Sequence, residues 1–172
     1  MISQTAEYAL RAVVSLGASP GMAVTTQQLA GTTQVPADYL SKVLQALGRV
    51  GIVESQRGRG GGYVLTRPLS DLTILDVINA VEPIRRIEQC PLGLEVHRRR
   101  MCSLHRRLDQ GIELVQSLFG DTTIGQLLAD GNPSQPLCEV AIVRHSGHQP
   151  AGTAVPSRER GRSSNVRRRV KS

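Results

Sequence analysis

The stretch from residue 38 to residue 67 limits the possible folds more than any other part of this chain. It starts with the helical pattern DYLSKVLQALGR, turns at Gly51, and continues with a short apolar run, a basic glycine-rich tip and the β-prone run YVL. Apolar residues at helical spacing followed by two such runs are typical of a helix that leads into a β-hairpin. This order predicts a DNA-recognition helix followed by a β-wing, with double-stranded DNA as the partner.

Two helices expected before the recognition helix complete a helix-turn-helix. The three predicted helices cover residues 3–17, 25–31 and 36–48. Ser3 is expected to cap the first, and Thr25 and Gln28 fit a capping box at the start of the second. Residues 31–34 are expected to form the turn, and Pro36 suits the first helical turn, where its missing N–H would have no partner. The apolar positions of the third helix, expected to face the core in part, are Tyr39, Leu40, Val43, Leu44 and Leu47.

Two short strands and three helices are expected after the recognition helix. The strands are predicted at 52–53 and 63–65, and the helices at 73–81, 101–119 and onward through Leu128, the last capped by Asp121 or Thr122. The fold class is therefore mainly α with a small β-wing. The expected parts are a winged helix-turn-helix DNA-binding domain at 1–82, an irregular loop at 83–100, a dimerisation helix with a terminal helix at 101–130, and a disordered basic tail at 131–172.

The net charge of +7 equals the charge of residues 144–172, within the predicted tail. Residues 144–172 hold eight Arg or Lys and one acidic residue, whereas residues 1–143 hold 13 basic and 13 acidic residues. The folded part is therefore expected to attract DNA through a local basic patch rather than through its total charge.

The side chains expected to contact DNA lie on the recognition helix and on the wing. Short polar groups on the N-terminal part of such a helix reach base edges, so Gln45 is matched to adenine and Lys42 to guanine or phosphate. The same residues also fit an ordinary solvated helix face. Arginines at a glycine-rich tip suit a narrow minor groove. The predicted DNA-binding residues are Thr25, Thr26, Pro36, Asp38, Tyr39, Ser41, Lys42, Gln45, Arg57, Arg59, Gly60 and Gly61.

A glycine run of this kind could also belong to the nucleotide-binding loop of an enzyme. A phosphate-binding P-loop needs a Lys and a Ser or Thr after its last glycine, and no such motif occurs. A dinucleotide fingerprint must open a helix, but here a strand follows at Tyr63. The sequence therefore predicts a binding protein, not an enzyme.

The residues of the predicted helix and wing also resemble one protein family. The matching pattern is Leu40-Ser41-Lys42-Val43-Leu44-Gln45, then Gly51-Ile52-Val53 and Arg57-Gly58, then Gly61-Gly62-Tyr63-Val64-Leu65. It is similar to the Rrf-two (Rrf2) family of bacterial winged-helix transcription regulators, which includes the iron–sulfur-assembly repressor and the nitric-oxide-sensing repressor. The resemblance covers residues 1–130. It implies a two-fold homodimer on a palindromic operator, usually acting as a repressor.

The resemblance also implies a sensor in the loop before the long helix. Relatives that sense iron or nitric oxide hold an iron–sulfur cluster there with three cysteines and a fourth ligand. This chain matches the first and third as Cys90 and Cys102, but Val96, which cannot ligate iron, stands at the middle position. The groups that could replace it are His97, His105 and Glu7, which fits a two-iron (2Fe–2S) cluster because imidazole can replace thiolate on one iron.

Two other interpretations of these residues stay open. Cys90 and Cys102 also fit a cluster-free dithiol switch, or buried thiols with no cofactor at all. Glu7 also fits a plain ion pair with Arg11, four residues on.

The expected assembly and location follow from the long helix and from apolar run lengths. Leu104, Leu108, Ile112, Val115 and Phe119 form an apolar stripe, widened by Leu114 and Leu118. So wide a stripe after so small a domain predicts a second surface, that of another copy. No membrane span or secretory signal is expected, which predicts a cytoplasmic, nucleoid-associated protein. The alternative to a sensing regulator is an architectural or partner-recruiting DNA binder that uses the basic tail.

Overall fold

The protein was analysed as a computed structural model that describes residues 2–89 and 101–130. Six helices and one hairpin form in this order: α1 Gln4–Gly17, α2 Thr26–Thr33, α3 Ala37–Arg49, β1 Val53–Gln56, β2 Gly62–Leu65, α4 Ile74–Val81, α5 Ser103–Asp121 and α6 Ile124–Ala129. The strands pair antiparallel, with Val53 opposite Leu65 and Gln56 opposite Gly62. The expected fold class, mainly α with a small β-wing, is confirmed.

The core lies between α1, α2, α3 and α4, with α6 closing one side. The recognition helix α3 buries Leu40, Val43, Leu44 and Leu47, all at 2% exposure or less. They pack with Val13 and Leu16 of α1, Leu29 of α2, Val77 of α4 and Ile124 of α6. Burying one such aliphatic side chain stabilises the fold by about 1.5–3 kcal/mol. The core therefore fixes which face of α3 is left outside.

The predicted caps of α1 and α2 are confirmed. Ser3 Oγ accepts from the backbone N–H of Ala6 at 3.2 Å. Thr25 Oγ1 accepts from the N–H of Gln28 at 3.2 Å, and the Gln28 side chain accepts from the N–H of Thr25 at 2.9 Å. These bonds satisfy N–H groups that have no partner inside the helix.

The predicted cap of the last helix is wrong, because Thr123 caps α6. Thr123 Oγ1 accepts from the N–H of Gln126 at 3.1 Å, and Gln126 Oε1 accepts from the N–H of Thr123 at 2.7 Å. Asp121 is still in α5, and the hydroxyl of Thr122 donates to the Leu118 carbonyl at 2.9 Å. The chain leaves helical geometry only after Asp121, so the first extended hydroxyl residue able to form a capping box is Thr123.

The turn between α2 and α3 is shorter than predicted. Residues 31–33 are helical, because the Thr33 hydroxyl donates to the Leu29 carbonyl at 2.6 Å and extends the last turn of α2. Gln34 then takes the left-handed conformation at φ 57°. Pro36 is the N-cap of α3 rather than part of its first turn, with φ −56° and ψ 135°. Tyr39 is 42% exposed and so lies outside the core.

The long helix α5 leaves its apolar stripe largely uncovered. Leu104, Leu108, Leu114 and Leu118 are 62%, 51%, 71% and 63% exposed, and the one buried residue of the helix is Asp109, at 9% exposure. The helix begins at Ser103, two residues later than predicted, because Cys102 is extended and acts as the N-cap. No helix within the described residues is both long and apolar enough to cross a membrane. The predicted disordered tail, 131–172, lies outside those residues.

Candidate DNA-binding interface and cysteine site

The outer face of α3 carries a continuous polar stripe. Asp38, Lys42 and Gln45 are exposed and follow each other at helical spacing, on the side away from the buried leucines. Ser41 is half-buried, and its hydroxyl donates to the Ala37 carbonyl at 3.0 Å. Arg49 continues the stripe one turn beyond Gln45, is exposed, and was missed by the sequence prediction although its helical spacing marks it. A helix about 10–12 Å wide fits the major groove with this stripe against the base edges.

Tyr39 links the start of α3 to α1. Its ring meets that of Tyr8 edge to face, with centroids 5.6 Å apart and planes at 84°. The guanidinium of Arg11 lies over the Tyr8 ring, 5.9 Å from its centroid, and Arg11 Nη1 donates to the Thr33 carbonyl at 3.2 Å. The sequence analysis missed Tyr8 as part of this surface, because nothing in the pattern of α1 shows which helix it faces.

The start of α2 lies beside the base of the wing. Val24 and Tyr63 exchange both backbone hydrogen bonds, at 3.0 and 2.9 Å, and so join the residue before Thr25 to strand β2. A Cβ on Gly62 would lie 2.5 Å from the Val24 carbonyl oxygen, so only glycine allows this approach. Thr26, half-buried, opens α2 next to this junction. The first N–H groups of a helix suit a phosphate, and the DNA contacts of Thr25 and Thr26 stay a prediction.

The wing tip presents two arginines on a tight glycine turn. Gly58 and Gly60 have φ of +104° and +83°, and the N–H of Gly61 donates to the Gly58 carbonyl at 2.9 Å. A Cβ on Gly61 would lie 2.4 Å from the Gln56 carbonyl oxygen. Arg57 and Arg59 are exposed and form no hydrogen bond or ion pair with the part of the chain that the structure describes. Their guanidinium groups are therefore available to an anionic partner.

Comparison of the chain with known proteins identifies the family to which it belongs. The Rrf2 family model, described as an iron-dependent transcriptional regulator, matches residues 2–130. The chain belongs to the Rrf2 family. An HTH-type transcriptional regulator of Mycobacterium tuberculosis is 38% identical over 94 residues, which are 54% of this chain and 58% of that protein. The chain thus matches little more than half the length of that curated relative.

Solved structures of the family share the fold of this Rrf2 protein. CymR, described as the global cysteine regulator of B. subtilis, superposes with a TM-score of 0.63 at 24% identity, over 75% of this chain and 96% of CymR. IscR of T. potens superposes with a TM-score of 0.65 at 20% identity, over 78% of this chain and 90% of IscR. The Rrf2 family and these relatives are HTH-type transcriptional regulators rather than enzymes.

Two of the predicted cluster ligands meet at the start of α5. Cys102 is half-buried at the N-cap, and its Sγ lies 3.1 Å from Nδ1 of His105, one turn along the helix. A thiolate and an imidazole side by side can both reach one metal ion, so this corner fits part of a mixed sulfur–nitrogen ligand set. Cys90, Val96 and His97 lie outside the described residues.

Glu7 is engaged elsewhere within the same chain. It forms an ion pair with Arg11, as the alternative interpretation of that residue held. Among residues 2–89 and 101–130, no three His, Cys, Asp or Glu side chains come together as potential metal ligands. Glu7 therefore does not complete a site with Cys102 and His105 in one protomer.

An ionic cluster on α5 was missed by the sequence analysis. Arg86 donates to Asp109 through Nε at 2.7 Å and through Nη2 at 2.6 Å. These bonds lower the pKa of Asp109 from 3.8 to about 2, and burial and the N–H of Ile87 contribute with opposite signs. They also raise the pKa of Arg86 above its usual value. Asp109 lies in a helix with no other buried residue. The one signal in the sequence that could have pointed to it is its position as an acidic residue beside the apolar stripe.

Proposed function

We propose that this protein is a homodimeric repressor that binds a palindromic operator with α3 and the wing of each protomer. The observation that carries the proposal is the pairing of the α3 stripe with a wing tip whose two arginines have no partner in the described part of the chain. Lys42 and Gln45 would contact base edges in the major groove, and Arg59 would enter the adjacent minor groove. A repressor of this kind works in the bacterial cytoplasm, at the nucleoid.

The uncovered face of α5 supports the homodimer. Leu114 and Leu118 lie on the outside of the helix, at 71% and 63% exposure. Beside the same helix runs an apolar groove of about 590 Å³, lined in part by Ile78, Ile112 and Phe119. A second copy presenting the same leucines would bury both surfaces about a two-fold axis, the commonest arrangement in soluble oligomers.

The cysteine corner supports a sensing role. In this proposal Cys90 and Cys102 hold a two-iron cluster, and the remaining ligands come from His97, His105 or Glu7, with Glu7 offered by the partner protomer. The family description as iron-dependent and the short contact between Cys102 and His105 both favour it. A bound cluster would supply a redox-active centre that reacts with oxidants and nitric oxide. The protein's own part is to hold the thiolates at the head of the dimerisation helix.

The cluster proposal is tested by the colour and iron content of the protein. Protein purified without oxygen is expected to show visible absorption with matching iron and sulfide, and Cys90→Ala and Cys102→Ala should each remove both. Cys138→Ala, in the tail, is the matched control. Colourless protein after reconstitution with iron and sulfide would refute the cluster and leave a dithiol switch or thiols without a cofactor. An operator affinity that differs between reduced and oxidised protein would then show the switch.

A second candidate function is an architectural or partner-recruiting DNA binder without a cofactor. It is favoured by the eight basic residues between 144 and 172, the segment that carries the whole excess of positive charge. Deletion of this segment should lower affinity for random DNA and flatten its salt dependence, because fewer counterions are released. A regulator keeps its operator preference after this deletion, whereas an architectural binder loses most of its DNA affinity.

A further inference from the structure

The segment that leaves α4 is fastened along one side of α5. Residues 83–88, called the strap here, contain no helix or strand. At its start the N–H of Ile84 donates to Asn79 Oδ1 of α4 at 3.0 Å, and the Ile84 carbonyl accepts from Nε2 of Gln116 at 2.8 Å. The strap is therefore tied both to the DNA-binding domain and to the long helix at one residue.

A second tie lies further along the strap. Arg86 binds Asp109 with two hydrogen bonds, and the N–H of Ile87 donates to the same carboxylate at 2.9 Å. Arg86 also reaches Glu113, one helical turn on, at 3.2 Å. Asp109 accepts three hydrogen bonds from the residues that the structure describes, two of them from Arg86, so removing Arg86 would leave a buried carboxylate short of partners.

The two ties are separated by the same distance along the strap and along α5. From Ile84 to Ile87 an extended chain advances about 10 Å. From Gln116 back to Asp109 the helix covers a similar distance, about 10 Å at 1.5 Å per residue. The strap thus runs antiparallel to α5 in a register that both ties hold, and a slip along the helix would break both.

We propose that Arg86 is a positioning residue for DNA binding: the strap that it clamps onto Asp109 and Glu113 sets the angle between each DNA-binding domain and α5. In a dimer joined through α5, that angle determines the distance between the two α3 helices and hence the operator spacing that the dimer accepts. The proposal rests on the dimeric regulator proposed above. It adds a residue that touches neither DNA nor the partner's apolar stripe.

The consequence concerns the linked binding of two half-sites. A fixed angle keeps the second DNA-binding domain next to its half-site once the first domain is bound, which raises the effective concentration of the second domain at that half-site. When the strap is no longer bound to α5, each DNA-binding domain stays folded but its orientation relative to α5 varies. Affinity for a full palindrome then falls while affinity for one half-site stays the same, and the preference for one spacing broadens.

The experiment compares Arg86→Gln with Arg85→Gln in the full-length chain. Arg85 lies in the strap, is exposed and forms no hydrogen bond or ion pair within residues 2–89 and 101–130, so Arg85→Gln removes the same charge without breaking either tie. The probes are a palindromic duplex selected from random DNA with the wild-type protein, its single half-site, and palindromes whose half-sites are one or two base pairs further apart. Gln116→Ala breaks the first tie without a change of charge and serves if Arg86→Gln unfolds.

The expected result is a loss of about tenfold on the palindrome for Arg86→Gln, within the range for residues that carry coupling. Half-site affinity and dimerisation should stay as in Arg85→Gln, and the longer spacings should be bound almost as well as the selected one. Equal behaviour of the two arginine variants, or a parallel loss on palindrome and half-site, would overturn the proposal. A wild-type protein that does not prefer the palindrome over the half-site would instead refute the dimeric regulator itself.

Discussion

Replacement of Arg59 by alanine tests the wing as a reader of the minor groove. A well-placed arginine contact to a base contributes about 1–3 kcal/mol of discrimination. Arg59 has no partner in the described part of its own chain, so no internal interaction is lost with it and the whole change should appear in DNA binding. A dimer carries two wings, so the loss on a palindrome is about twice that of one contact, at least roughly thirtyfold in affinity.

Fluorescence anisotropy with the selected palindrome and with a scrambled duplex measures this change. Arg85→Ala removes the same charge from an exposed residue outside the proposed interface and is the matched control. Lys42→Ala gives a second comparison, because the loss of a base-edge contact should weaken binding to the palindrome more than binding to the scrambled duplex.

The outcome for Arg59 separates three roles. A reader of the minor groove loses more affinity for the palindrome than for scrambled DNA. A phosphate contact loses the same on both duplexes. If Arg59→Ala matches Arg85→Ala on both, the wing does not touch DNA and the reasoning from its free guanidinium groups is refuted.

Three further predictions concern assembly, acid stability and helix capping. Leu114→Asp should give a folded monomer in sedimentation, because the side chain is already 71% exposed in one protomer. Asp109 ionises with a pKa of about 2 in the folded protein and 3.8 as a free group, so its stabilising effect is complete above about pH 4 and is lost as pH falls through 2. Asp109→Asn should therefore flatten the acid-unfolding curve in that window. Thr123→Ala should lower the free energy of unfolding by about 1 kcal/mol in urea titrations, whereas Thr122→Ala should not.

The sequence predicted the parts of the fold that depend on local pattern. Leu40, Val43, Leu44 and Leu47 repeat at helical spacing, and their burial follows because only one face of α3 can meet the core. The caps at Ser3 and Thr25 were predictable for the same reason, since the bonds join residues three apart. The cap at Thr123 was missed because three candidate residues follow each other, and only the end point of α5 selects among them.

Contacts between distant residues were beyond the sequence pattern. Arg86 and Asp109 are separated by 23 residues, and each has many possible partners of opposite charge. The same holds for Tyr8 and Tyr39, which meet only because α1 and α3 share the core. In the candidate site, the exposure of Asp38, Lys42 and Gln45 followed from periodicity, but the freedom of Arg57 and Arg59 from internal ion pairs did not.

Two sides of α5 with different chemistry allow one helix both to join two protomers and to position the DNA-binding domain. One side holds Asp109, Glu113 and Gln116, which bind the strap of the same chain. The other side carries Leu114 and Leu118, which nothing covers within the described residues. Directional hydrogen bonds fix an angle, whereas apolar contact tolerates small shifts at little cost. The polar side is bound by the strap that leaves α4, so these hydrogen bonds join α5 to the chain's own DNA-binding domain.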